Sequence, residues 1–168
     1  MTLSMYQASS PVFVRMLDNL AEILKKAAAH AEAKKIDPAA LLHARLYPDM
    51  FPLTRQVQIA TDTAKGCASR LAGIDPPRYE DNEASFAELL GRIERTIAFI
   101  KSVAPKVIDG SEGRTITLKV RDQTVVFTGQ AYLLNFAQPN FYFHVTIAYD
   151  ILRHNGVELG KTDFLGRA

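Results

Sequence analysis

A single cysteine, Cys67, stands among the 168 residues, which excludes an intramolecular disulfide and fits a reducing cytoplasm. No apolar run approaches the roughly 20 residues that a membrane-spanning helix needs. No basic segment followed by an apolar core opens the chain either, so the expectation is a cytoplasmic protein, neither secreted nor membrane-embedded. Charge of one sign is also scarce. The formal net charge is +2, and without a Lys/Arg-rich run or aromatic-basic alternation it argues against a nucleic-acid partner. Low-complexity tracts and internal repeats are missing. So are the local motifs that announce chemistry: there is no phosphate-binding glycine loop, serine nucleophile elbow or Cys/His metal cluster.

What remains is a globular composition, 48% hydrophobic and 23% charged, whose length suits one domain, residues 1–168, around one core. Ser9-Ser10-Pro11 predicts the start of a long helix, with serine as N-cap and proline just inside. Val14, Leu17, Leu20, Ala21, Leu24 and Ala28 continue it at helical spacing. Asp37-Pro38 predicts a short second helix ending near Leu46, and the two prolines of Tyr47–Pro52 predict a rigid connection. From Leu53 a further long helix turns Val57, Ala60, Ala64, Cys67, Ala68 and Leu71 inward until Gly73 ends it. Asp75-Pro76-Pro77 begins an extended crossing, and another long helix runs from about Ala84 to Val103.

Residues 106–113 read as turn, after which the apolar period falls to two. Ile116, Leu118 and Val120 alternate with polar neighbours, and Val126 follows Thr124, giving a short β-hairpin about Arg121-Asp122-Gln123. A helical piece from about Gly129 to Phe136 follows, and Pro139 restarts the chain as a final long helix. Arg153 and His154 suit its negative end, and Gly156 suits the left-handed position beyond it. The class this predicts is mainly α: an antiparallel four-helix bundle with a short extra helix, and a small β-hairpin before the last helix.

The final helix carries the candidate site. At about 100° per residue, Asn140, His144, Ile147, Ala148 and Ile151 fall on one stripe. Two polar residues one turn apart on a buried face are either a hydrogen-bonded core pair or what is left of a metal site. One histidine with amide partners is a poor set for zinc, nickel or copper, which favour several imidazole or thiolate ligands. The favoured reading is a neutral His144 satisfied by Asn140, Gln56, Gln58 or a water. His30, His43 and His154 read as solvent-facing or helix-end residues, and Cys67 as a packed thiol.

The run Asn140-Phe-Tyr-Phe-His144, then Ile151-Leu-Arg-His-Asn-Gly156-Val, then Leu159-Gly160-Lys161, resembles an uncharacterised bacterial family. That family is the domain of unknown function nineteen ninety-three, within the DinB/YfiT-like superfamily. The likeness covers nearly the whole chain and includes Arg55-Gln56-Val57-Gln58-Ile59-Ala60. It implies a four-helix bundle, commonly dimeric, often with three histidines holding a divalent metal such as zinc or nickel. Two of those histidines sit four apart on the last helix, before a Leu-Arg-x-x-Gly ending. Leu152, Arg153 and Gly156 then put His144 on the second position and Asn140 on the first. The third belongs on the second long helix, ahead of a leucine and glycine like Leu71 and Gly73; Gln58 is nearest by motif and Gln56 by periodicity.

With three histidines reduced to one, the leading expectation is a bundle with a degenerate metal site, non-catalytic or binding an unknown small ligand, and needing no cofactor. The alternative is a divalent-metal-dependent enzyme of thiol transferase or hydrolase type using His144. An interaction subunit working through its surface is a third reading. Apolar residues outside the final stripe (Tyr142, Phe143, Val145 and Tyr149) leave a face that predicts a homodimer.

Overall fold

Ser4 and Gln7 cap each other reciprocally, and their capping box starts the first helix earlier than Pro11 suggests. In the computed structural model, which describes residues 3–120 and 122–166 apart from the Val120 side chain, α1 runs Met5–Lys34 with Pro11 inside it. Its buried stripe holds Phe13, Leu17, Leu20, Leu24 and Ala27. The short α2, Pro38–Leu42, is capped by the Asp37 side chain and stops before Leu46. Helix α3, Leu53–Ala72, ends where Gly73 takes φ 72°, and α4, Phe86–Ser102, is capped by Ser85. A one-turn α5, Pro105–Ile108, occupies the start of the expected turn because Pro105 suits a first helical position.

The strands β1, Thr115–Val120, and β2, Gln123–Thr128, pair antiparallel with Ile116 opposite Phe127 and Leu118 opposite Val125. Among the described residues they make one two-stranded sheet on a mainly helical protein. After them, α6 (Gly129–Tyr132) leads into a π-helical segment, Leu133–Ala137, and then into α7, Gln138–His154. Pro139 therefore does not restart the chain. The Gln138 N–H reaches the Leu133 carbonyl five residues back, so the wider π turn carries the helix up to the proline without a break. Gly156 takes φ 88° beyond α7, as its position predicts. A last short helix, α8 (Lys161–Leu165), was not evident from periodicity.

Among the long helices, α3 packs on α7 and α4, and α1 packs on α4, α3 and α7. The central α3 is buried on nearly every side, including Gln56, Gln58, Thr61, Thr63, Lys65 and Ser69. On α7 the buried stripe is Phe141, His144, Val145, Ala148, Ile151 and Leu152. That is about one residue later than the stripe starting at Asn140, and it corrects the placement of Val145, which is core. Tyr149 is half-buried and meets the Phe164 ring of α8 edge-on at 6.0 Å. The apolar excess of α7 is accordingly smaller than the sequence suggests, though Phe143 remains 55% exposed.

Candidate functional site

A helix buried all round must find a partner for each polar side chain, since an unpaired one costs on the order of 1–3 kcal/mol. Gln56 and Gln58, two residues and about 200° apart on α3, consequently serve opposite sides. Gln56, 1% exposed, faces α7, where its Oε1 lies 2.7 Å from His144 Nδ1. Its Nε2 donates to the Phe51 carbonyl at 2.9 Å. That second bond fixes the amide orientation: Oε1 is the atom turned to the imidazole, so Nδ1 carries the proton and Nε2 keeps its lone pair. Burial, and after it the charge of Arg55, pulls the His144 pKa down to about 4. The ring is neutral at physiological pH.

Asn140 does not join this pair. It is half-buried one turn earlier, and its Nδ2 donates to Thr63 Oγ1 at 3.2 Å. The contacts 56 with 144 and 63 with 140 run in opposite senses, so α3 and α7 are antiparallel. Gln58 turns towards the crossing segment 75–85, donating to Glu83 Oε2 at 2.9 Å and accepting from Arg55 at 3.2 Å. With Arg55, Asp81 and Glu83 it lines a cavity of about 370 Å³.

Beside Gln58 lies a cluster that sequence reasoning missed. Arg92 of α4 is wholly buried. Its Nε donates to Thr61 Oγ1 at 2.8 Å, Nη1 to Glu83 Oε1 and the Glu80 carbonyl at 3.0 Å each, and Nη2 to Asp62 Oδ1 at 2.8 Å. Asp81 adds an ion pair at 3.0 Å, and the Tyr79 ring lies 5.4 Å from the guanidinium. Burial works to lower its pKa, but the Glu83 hydrogen bond and the charges of Asp62, Glu83 and Asp81 outweigh it and hold it above the ordinary value. One arginine thereby fastens the crossing segment 75–85 to α3 and α4. Its signal was a basic residue inside the stripe of Leu89, Ile93, Thr96 and Ile100.

His144, Gln56 and Asn140 are thus brought to one face of the α3–α7 contact, and Gln58 is not. As a metal set they offer one imidazole and two amides, with the Gln56 oxygen and the Asn140 amide already engaged; the chemistry of these donors does not fit the three-histidine metal of the superfamily. Among the described residues, no group of three or more His, Cys, Asp or Glu side chains is placed to hold a metal ion. As a general base, an imidazole with its pKa near 4 is poorly matched to neutral pH. Cys67 is fully buried, and desolvation pushes its thiol well above the ordinary range, away from nucleophilic use. No helix of the described residues is long and apolar enough to cross a membrane.

The family described as "Domain of unknown function (DUF1993)" matches residues 5–165. Among solved structures, the crystal structure of a DinB family member protein from Shewanella denitrificans is similar over 97% of this chain and 92% of that one. The two are 41% identical and superpose with a TM-score of 0.87. No curated protein matches the sequence.

Proposed function

This chain belongs to the DUF1993 family, and we propose that it is a single-domain, antiparallel four-helix bundle of DinB/YfiT type that binds a small ligand without catalysing a metal-dependent reaction. The observation that carries this reading is the Gln56–His144 hydrogen bond. Where the superfamily resemblance implies a metal ligand, this chain holds a neutral imidazole locked to an amide in the α3–α7 contact. The 370 Å³ cavity beside Gln58 and Arg55 is the proposed ligand space, of a volume common to small-molecule sites. Elemental analysis of untagged protein tests the proposal. Transition metal at well under one equivalent, and unchanged in His144→Ala, is expected; a full equivalent lost in that variant would overturn it.

One observation favours a second reading, a divalent-metal-dependent enzyme of thiol transferase or hydrolase type. A proton on Nδ1 leaves Nε2 as the bare nitrogen, which is the tautomer a metal-bound imidazole uses when a neighbouring oxygen holds its other nitrogen. Zinc or nickel binding measured by calorimetry, abolished in His144→Ala and weakened in Gln56→Ala, would support it.

A cytoplasmic homodimer completes the proposal. Exposed Phe143 and Leu134, 55% and 48% accessible, support a self-association surface on the π segment and α7. Light scattering at micromolar concentration should give twice the 18.6 kDa chain mass; a monomer would sink the idea.

A further inference from the structure

About 21 Å along α3 from Gln56, counting fourteen residues at 1.5 Å each, the far end of the helix gathers positive charge that the protein itself does not neutralise. A cavity of about 610 Å³ is lined there by Lys65, Arg70 and Arg78, with the carboxylates of Asp62 and Asp75 and with Pro76 and Tyr79 among its other walls. A second cavity of about 270 Å³ continues from it, sharing Arg70 and Asp75 and adding Arg114. Among the described residues, neither Arg70, Arg78 nor Arg114 has a carboxylate within 4.0 Å. Lys65 is paired, but with Asp62, which also serves the buried Arg92. Asp75 is left as the one carboxylate of the two cavities not already in an ion pair.

Of the three guanidinium groups, Arg70 is held in place, while Arg78 and Arg114 are exposed at the rims of the cavities. Arg70 is half-buried, donates from Nη1 to the Tyr132 hydroxyl at 3.0 Å and lies 5.9 Å from that ring. Burial raises the Tyr132 pKa to about 12, so the phenol is neutral and supplies no counter-charge. Two glycines lie directly against the Arg70 and Arg114 side chains. A Cβ on Gly66 would collide with Arg70 Nη1, and one on Gly73 would collide with Arg114 Nη1. Gly66 within α3 and Gly73 just beyond its end thus leave two like charges, Arg70 and Arg114, beside one cavity. Like charges held together in a partly desolvated space call for an anion.

We propose that this double cavity binds a small organic phosphate monoester. A phosphate carries about two negative charges at neutral pH, which suits three unpaired guanidinium groups against a single free carboxylate better than one carboxylate ligand would. Guanidinium groups match phosphate oxygens in paired hydrogen bonds. The Pro76-Pro77 wall and the breadth of the larger cavity accommodate the organic part, which a bare ion would leave unfilled.

Isothermal calorimetry on the full chain, with ionic strength held by sodium chloride, tests the proposal using phenyl phosphate and inorganic phosphate as probes. Phenyl phosphate should bind, and bind more tightly than inorganic phosphate. Arg70→Gln and Arg114→Gln should each weaken it by roughly tenfold or more, as expected for losing a charge-assisted hydrogen bond. Arg114 is exposed, so its variant folds even where Arg70→Gln does not. Failure of the parent protein to bind either probe, equal affinity for the two, or unchanged affinity in Arg114→Gln would overturn the assignment.

Discussion

Gln56 and His144 are 88 positions apart in the chain and 2.7 Å apart in space, amide oxygen to ring nitrogen. The contact joins α3 to α7 at a point buried enough to keep the imidazole neutral, and its strength is measurable by titration.

In the fold His144 takes up a proton only near pH 4, whereas an ordinary histidine does so near 6.5. Between those values the unfolded chain binds more protons than the folded one. The contribution to stability is therefore complete above pH 6.5 and lost as pH falls towards 4, by about 3 kcal/mol at the lower end. Nuclear magnetic resonance of the ring should show no titration between pH 5 and 8. Urea midpoints should fall further from pH 7 to pH 4.5 in the parent than in His144→Gln.

Replacing Gln56 separates the hydrogen bond from the burial. Gln56→Leu leaves the Nδ1 proton without its acceptor and should cost about 1–3 kcal/mol in chemical denaturation. Gln56→Glu puts a carboxylate against the ring and should raise the His144 pKa, seen as titration moving into the range above pH 5. A pKa unmoved by Gln56→Glu would show that the 2.7 Å contact does not govern the ring.

Arg92→Met should be the most destabilising of these changes, about 3–5 kcal/mol, because it takes the close cation from Glu83, whose side chain is 3% exposed and keeps only Gln58 at 2.9 Å and Arg95 at 4.0 Å. Adding Glu83→Gln should recover part of the loss by removing that charge. A double variant no more stable than Arg92→Met would argue that the arginine acts through packing alone.

Gly129 opens α6 under the Ser111 backbone. A Cβ there would collide with the Ser111 carbonyl oxygen and lie 3.0 Å from its carbon, while the Gln130 N–H holds the Glu112 carbonyl at 3.0 Å. Since the obstacle is backbone, Gly129→Ala should cost about 2 kcal/mol and lower the thermal midpoint. An unchanged midpoint would mean that the loop yields freely.

Much of the helical framework is legible in the chain. The α3 stripe with its Gly73 stop and the hairpin's alternation place those elements to within a residue or two. Proline was the misleading signal. Pro11 and Pro139 both read as helix starts, yet one is overridden by the Ser4–Gln7 capping box and the other by a π turn that no periodicity announces. Of the candidate residues, periodicity put Gln56 nearest the core and motif spacing put Gln58 nearest. The structure gives Gln56 to His144 and Gln58 to Glu83. Arg92 was visible as a charge inside an apolar stripe, but its partners lie in the aperiodic segment 75–85, where sequence spacing carries no directional information.

From Gly129 to His154 the chain is one helical rod with two phases. Upstream, Tyr132 and Phe136 pack around Phe127 of the hairpin, ring centres 6.1 and 5.6 Å away. Downstream, Phe141 meets Phe13 at 4.8 Å and His144 meets Gln56. The π segment supplies the offset, since one extra residue turns a helix by about 100°. A chain one residue shorter between Leu133 and Ala137 would have to surrender either the hairpin's aromatic stack or the imidazole's seat on α3. The alignment of the histidine is thus set by counting as much as by chemistry. An insertion or deletion between Leu133 and Ala137 would turn His144 away from Gln56 without altering either residue.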